Sequence, residues 1–289
     1  MGCQDAIAPS GGAYRPCNAR ASPLYQCVVR HAGELHAAGR LERSVEGQTI
    51  DRFVECGDPH HGFVRIRCEA CGHDYLLAYS CKTRYFCPSC HQKRVLLYGE
   101  WVEENILAPV AHRQYVFTVP RLLRPLFSRH RVWLGELCRI AARLLGKACR
   151  AALPAARPAF IEFVQTFGDL VNFHPHVHVL AADGVFRGDG TFVPLPPISE
   201  ALLERGFRRA VLDFLVGEGA ISDALRVRML GWRYSGFSVH NQVRVAADDA
   251  EGRKKLAGYM LRAPLSLAKM TYEPASGTVI YRSKMHTLD

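Results

Sequence analysis

The stretch FHPHVHVLAADGVF, residues 173–186, carries His174, His176 and His178 at alternate positions in an otherwise apolar run. A period of two is the signature of a strand, where residues i and i+2 point to one face. The three imidazoles therefore share a face, and Phe173, Val177 and Val179 take the other. Two neighbouring imidazoles on one face make a two-toothed clamp for a metal ion. Pro175 has no N–H to give a ladder and belongs at a strand start or edge. That makes His176 and His178 the better clamp and leaves His174 either to support the metal ligands or to contact substrate. Two histidines need a third ligand, and Gln165, Glu162, Asp183 and His240 are the options. Imidazole favours Zn²⁺ or Mn²⁺ over Mg²⁺. Open positions on such an ion suit the oxygens of a substrate.

Outward from this strand, HRQYVFTVP (112–120), FIEFVQTFG (160–168), HVHVLAADGVF (176–186) and GFSVHNQVRV (236–245) alternate and are rich in β-branched and aromatic residues. Helical spacing predicts helices over 129–153, 199–219 with Ser199 as N-cap, and 248–264, opened by acids and closed before Pro264. A further helical stretch is expected over 25–54, after a loose, Gly- and Pro-rich first 22 residues. The order β-α-β-β-α-β-α predicts an α+β sheet with helices on one face. On the 129–153 helix, Arg139, Arg143, Lys147 and Arg150 form a basic stripe, either a solvated face or one that tracks phosphates.

Upstream, CEACGHDYLLAYSCKTRYFCPSC (68–90) holds two CxxC turns, Cys68/Cys71 and Cys87/Cys90, fifteen residues apart. Each such turn aims two thiolates at one point, and two turns complete a tetrahedron around Zn²⁺. Four ligands close the site, so its task is folding rather than chemistry. Cys56 and Cys81 are surplus to this set; either could replace a ligand, or the two could join in a second site. Lys82, Arg84, Tyr85, Lys93 and Arg94 surround the cluster and suit a DNA-gripping surface.

Composition narrows the classes. The chain has 289 residues, with 37 Lys plus Arg against 27 acids, a net charge of +10. Such a surface attracts polyanions, nucleic acid first. No apolar run approaches the roughly 20 residues that span a bilayer, and the N-terminus lacks a secretory pattern. A reducing cytosol is therefore expected, and eleven cysteines there point to metal binding or burial rather than disulfides.

A zinc module followed by His-hydrophobe-His, with ECGDPHHGFVRIRCEACGHDYLLAYSCKTRYFCPSCHQKR, HRQYVFTVP, VNFHPHVHVLAADGVF and GYMLRAPLSLAKM, resembles the insertion-sequence-91 family of HUH transposases over about residues 50 to 285. The resemblance implies an N-terminal segment (1–54), a four-cysteine zinc domain (55–98) and an HUH-type antiparallel β-sheet core with flanking helices (99–289). It implies that the histidine pair holds Mg²⁺ or Mn²⁺ and that Tyr259, in GYMLRAPLS, attacks a phosphodiester of single-stranded or hairpin DNA at transposon ends. The product is a 5′-phosphotyrosine and a free 3′-OH, leading to rolling-circle transposition by a cytoplasmic, nucleoid-associated protein. Arg262, one helical turn on, is an expected phosphate contact. Two-tyrosine members carry a second tyrosine where this chain has Ala263, so successive cuts would reuse Tyr259 or recruit a second protomer of a homo-oligomer. Family members continue well past YRSK, whereas this chain ends at Asp289, which reads as a shortened frame. A zinc-containing, DNA-binding remnant without catalysis is the alternative. A zinc hydrolase of small substrates is disfavoured, since no HExxH pattern occurs.

Overall fold

The computed structural model describes residues 19–282. Of the first 22 residues only 19–22 are described; they form a 3-10 turn, Ala19–Ala21, and the N-cap Ser22. The terminal HTLD lies outside the described residues.

The chain runs through α1 (Pro23–Ala37), α2 (Ser44–Val54), β1 (Phe63–Arg67), β2 (Asp74–Ala78), α3 (Pro88–Asn105), β3 (His112–Thr118), α4 (Arg124–Arg129), α5 (Leu134–Ala152), β4 (Phe160–Phe167) and β5 (Phe173–Ala182). It continues through β6 (Gly184–Phe186), β7 (Phe192–Pro194), α6 (Glu200–Gly217), α7 (Asp223–Leu230), β8 (Ser238–His240), β9 (Arg244–Val245), α8 (Ala250–Tyr259), β10 (Met270–Glu273) and β11 (Thr278–Tyr281). The fold is α+β with antiparallel sheets. The chain divides into two compact units, residues 1–97 with 262–289, and residues 98–261.

The first unit is built on a small core in which Phe53, Leu24, Tyr25, Cys56 and Cys87 are buried with Met270. The helix expected over 25–54 is two helices. Ser22 caps α1 by accepting from the Tyr25 N–H, and Gly39, at a φ of 61°, lets the chain turn before α2. The β1–β2 hairpin pairs Phe63 with Ala78 at its base and Arg67 with Asp74 at its tip.

The second unit is centred on a sheet of order β4-β5-β3-β8, with β9 also paired to β3. Every pairing is antiparallel. One face carries Tyr115, Phe117, Val177, Val179 and Val239, packed on Leu137, Ile140 and Leu145 of α5 and on Phe207, Val211 and Leu215 of α6. Burying each such side chain contributes roughly 1.5–3 kcal/mol. The other face is covered too. Leu180, Ile161 and Phe163 meet Tyr98 and Val102 of α3 and Leu256, Ala257 and Met260 at the end of α8. Helices therefore cover both faces, not one, because β5 is apolar on both sides from Val179 onward. Gly99 lets α3 approach α8: a Cβ there would lie 2.6 Å from the Lys254 carbonyl oxygen.

Three expected elements shift. The 236–245 strand is two short pieces, β8 and β9. The last expected helix ends at Tyr259, capped by Met260. β5 begins at Phe173, so Pro175 lies inside it, but at an irregularity: the β4 pairing jumps from Gln165↔His176 to Phe167↔Phe173. The missing N–H of Pro175 thus falls where the ladder is already broken.

Candidate functional site

Four thiols gather in the first unit: Cys56, Cys81, Cys87 and Cys90 lie with all four sulfurs within 4.8 Å of one another. The Sγ–Sγ separations are 3.7 Å for Cys56–Cys87, 3.7 Å for Cys56–Cys90 and 3.6 Å for Cys81–Cys90. A tetrahedron with zinc–sulfur bonds of about 2.3 Å has edges of about 3.8 Å, so the cluster fits a structural zinc ion. Cys87 precedes α3 and Cys90 sits in its first turn, where the helix dipole favours thiolate. The backbone wraps the cluster through the left-handed residues Lys82 and Tyr85, at φ of 54° and 64°. The Thr83 and Cys81 N–H groups point at the Sγ atoms of Cys81 and Cys56. Hydrogen bonding from Cys56 pulls the Cys81 thiol far below its ordinary range, while the same neighbour pushes Cys87 up.

This is not the set expected from the two CxxC turns. Cys87 and Cys90 are in it; Cys68 and Cys71 are not. The cause is the hairpin. Cys56 and Cys81 flank its base, and Cys68 and Cys71 sit in the turn at its tip, closed by the Gly72 N–H to the Cys68 carbonyl. Five paired residues separate base from tip, about 17 Å at 3.4 Å each. The two cysteines treated as surplus, Cys56 and Cys81, are the ones the base delivers.

In the second unit, the β3–β5 and β3–β8 registers align Gln165, His176, Thr118 and Ser238 in one row, and Phe163, His178, Val116 and His240 in the next. Opposed residues share a face, so both histidines look toward α8. Their ring centroids are 4.8 Å apart, and the His174 ring is 5.2 Å from that of His176. His176 Nδ1 lies 2.7 Å from the His174 carbonyl oxygen. A carbonyl only accepts, so Nδ1 carries the hydrogen and Nε2 the lone pair, the tautomer that ligates metals. His178 Nδ1 lies 3.0 Å from the side-chain amide of the buried Gln114. As placed, Gln114 Nε2 donates to Nδ1, the reverse of the His176 arrangement; ligation through His178 Nε2 requires the amide reversed, so that its oxygen accepts from Nδ1–H.

Tyr259 ends α8, and its ring stands 5.7 Å from that of His178, edge to face. It is 42% exposed, so a large substrate can reach its hydroxyl. Gln165 fastens this end of the helix to the sheet: its Nε2 donates to the carbonyls of Tyr259 and Met260 at 3.3 and 3.2 Å. These are carbonyls at the α8 terminus, with no further helical turn to bond them. Of the four ligand options, Gln165 is the one directly opposite His176 in the sheet register. His240 shares the face but is exposed, two strands away. Glu162 is excluded, because its register partner is Val179 and it looks toward α5, where burial pushes its carboxyl up to about 7. Asp183 is excluded as well. Burial opposes its charge, yet hydrogen bonds from Arg113 and Arg244 hold its carboxyl below the ordinary range. Arg262 is not one helical turn beyond Tyr259, since α8 has already ended; it falls in the other unit. Burial, the Arg124 charge and His176 push the His174 imidazole down to about 4.

A transposase zinc-binding domain matches residues 27–119, and a family described as putative transposase matches residues 159–288. The transposase for insertion sequence element IS801 of Pseudomonas savastanoi pv. phaseolicola is 33% identical over 255 residues, 82% of this chain and 60% of that protein. The chain belongs to the insertion-sequence-91 family of transposases. The cysteine cluster lies inside the zinc-binding match, and His176, His178 and Tyr259 lie inside the other. Putative transposase y4qJ of Sinorhizobium fredii (strain NBRC 101917 / NGR234) is 29% identical over 209 residues, 68% of this chain and 51% of that protein. The chain thus spans about half to three-fifths of the length of these relatives. No solved structure matches it. Among the described residues no helix is long and apolar enough to cross a membrane.

Sequence reasoning passed over Gln114. Its signal is a polar residue facing inward in a strand, HRQYVFT, whose other central positions are apolar. The pairing of Gln165 to α8 had no local signal, since it joins residues 94 apart.

Proposed function

We propose that this chain acts as a DNA transposase that cuts and rejoins single-stranded DNA through Tyr259. The observation that carries the reading is the Tyr259 ring packed edge-on against His178, on the face that His176 and Gln165 share. In the proposed reaction Tyr259 Oη attacks the phosphorus of a phosphodiester. The Oη–P bond forms and the P–O3′ bond breaks. The tyrosine proton passes to solvent, and the departing O3′ takes up a proton. The strand is left with a free 3′-OH and a 5′-phosphate esterified to Tyr259. Attack by a 3′-OH on that ester reverses the step, and the ester keeps the energy of the cut bond, so no nucleotide cofactor is consumed.

His176 and His178, with Gln165 beside them, are the residues that would hold a divalent ion, Mg²⁺ or Mn²⁺. When bound, that ion withdraws charge from the phosphate and aligns it for in-line attack. The chain's own part is positioning. Gln165 fixes the α8 terminus, the His174 carbonyl sets the His176 tautomer, and Gln114 holds the His178 ring through Nδ1. This arrangement pre-organises nucleophile and ligands before substrate arrives. His174, Arg124 and the overall +10 charge supply a polar, basic border. The four-cysteine site keeps the first unit folded and takes no part in the reaction.

The test is incubation of the protein with labelled single-stranded oligonucleotides and Mn²⁺, followed by a denaturing gel. A covalent protein–DNA band is expected, lost in Tyr259→Phe and in His176→Ala while DNA binding persists. A band that survives Tyr259→Phe would reject the nucleophile. Binding without any band would favour the DNA-binding alternative.

A further inference from the structure

The loop GWRYSG, residues 231–236, joins α7 to β8 and exposes two large aromatic side chains, Trp232 at 37% and Tyr234 at 83%. Exposed rings can stack on a ligand only where the loop holds them in place, and this loop is fastened. Arg208 donates to the Trp232 carbonyl at 3.1 Å. Ser235 donates to Glu204 at 2.9 Å and accepts from the Phe237 N–H at 3.2 Å. Gly236, at a φ of 71°, presses on Pro120, where a Cβ would come within 2.9 Å. Loop and α6 border an open groove of about 620 Å³.

The chemistry of the walls is specific. Arg205, Arg208 and Arg233 line the groove, and the Arg233 guanidinium lies 5.4 Å over the Tyr234 ring. Glu204 is occupied by Ser235 and Arg208, and Glu200 by the Asn241 N–H and Gln242. Both acids are thus bonded to neighbours, Arg208 is spent on the loop and Glu204, and Arg205, Arg233 and the aromatic faces are left exposed. Aromatic and guanidinium planes beside positive charge suit an unpaired nucleobase with its phosphates. A duplex hides its base faces and could use only the charges. The position fits as well. Ser238 lines the groove, bonds Thr118 at 2.7 Å, and Thr118 is the register partner of His176. Two strand spacings, about 10 Å, separate Ser238 from His176 within one sheet.

We propose that the GWRYSG loop and α6 form a stacking subsite for an unpaired base of the DNA strand. The proposal rests on the single-strand reading of the Tyr259 site and names where that strand is held next to it. Nothing in the subsite takes part in bond making.

The experiment uses the full chain carrying Tyr259→Phe, so that chemistry is off, and single-stranded oligonucleotides containing 5-iodouracil. After near-ultraviolet irradiation, crosslinks mapped by peptide mass spectrometry are expected at Trp232 or Tyr234. The Trp232→Ala/Tyr234→Ala variant is expected to bind single strands about tenfold more weakly or worse. Its duplex affinity should be unchanged. Tyr234→Phe, which keeps the ring, should bind like the parent and controls for folding. Crosslinks only elsewhere, or equal loss on single strands and duplex, would overturn the subsite. So would displacement of the loop crosslink by poly-glutamate but not by unlabelled single strands, which would assign the loop to an acidic protein. Adduct formation by the Tyr259-bearing chain on the same oligonucleotides is scored separately. Adduct without loop crosslinks rejects only the subsite; loop crosslinks without adduct reject only the tyrosine chemistry.

Discussion

Gln114 is buried on β3 with its amide 3.0 Å from His178 Nδ1. A ligating imidazole works through one nitrogen, and what the other nitrogen bonds decides which. Gln114 Nε2 faces Nδ1 as placed; with the amide reversed its oxygen accepts there, keeps the hydrogen on Nδ1 and leaves Nε2 for the ion. Gln114→Leu removes that acceptor and frees the ring to rotate and to exchange tautomers. Mn²⁺ affinity, measured by titration with paramagnetic detection, is expected to fall about 10- to 100-fold. Gln114→Glu, which keeps an acceptor, should retain most of it. An unchanged affinity in Gln114→Leu would show that His178 is not oriented through Nδ1. The residues of this site differ in how far they could be read beforehand. His176 and His178 announce a shared face because strand geometry is local and has a fixed period. Tyr259 stands out from eleven tyrosines only through the motif around it. Gln114 and Gln165 act through partners 64 and 94 positions away, and no spacing within the chain encodes such contacts.

The β1–β2 hairpin shows the same limit at the scale of an element. Two CxxC turns read as one tetrahedral site if the segment between them folds back on itself. Residues 63–78 instead form a ladder that carries Cys68 and Cys71 to its tip and leaves Cys56 and Cys81 at its base. FVRIR alternates over only part of its length and DYLLA does not, so the hairpin is faint in the sequence beside the two CxxC turns. The two readings make opposite predictions. Cys56→Ser or Cys81→Ser should strip the zinc from the Cys87/Cys90 site and lower the thermal stability of the first unit, because a structural zinc ion contributes folding free energy directly. Cys68→Ser should leave that zinc in place. Zinc content of the purified variants by atomic absorption decides: loss of zinc in Cys68→Ser with retention in Cys81→Ser would restore the paired-knuckle arrangement.

For the sheet unit as a whole, stability comes from a sheet packed with helices on both faces, and one ionisable group sits badly in that packing. The order of strands and helices made an antiparallel α+β fold legible, but not the second helical layer, because a strand that is apolar on both sides looks like a strand that is merely hydrophobic. Glu162 belongs to the α5 side, opposite Val179, with one carboxyl oxygen buried and no hydrogen-bond partner for it among the described residues. Burial raises its pKa to about 7, and its charge in turn adds to the burial that pushes the nearby Cys138 thiol up to about 11. The sign follows from linkage. The folded state holds the Glu162 proton more tightly than the unfolded chain, whose carboxyl titrates near the ordinary value of about 4.3. Below that value both states are protonated and there is no penalty. As pH rises toward 7 the unfolded state gains from ionisation while the folded state does not, so stability falls, and above about 7 the loss levels off. Glu162→Gln removes the titration and keeps the shape. The side chain is only partly buried, which tempers the effect to about 1 kcal/mol, or a rise in melting temperature of roughly 2–4 °C at pH 8 for a unit of this size. At pH 5, near the lower end of that window, roughly a quarter of the gain should remain. Melting curves at the two pH values check this, and an equal gain at both would mean that the glutamine side chain improves packing rather than relieving a charge.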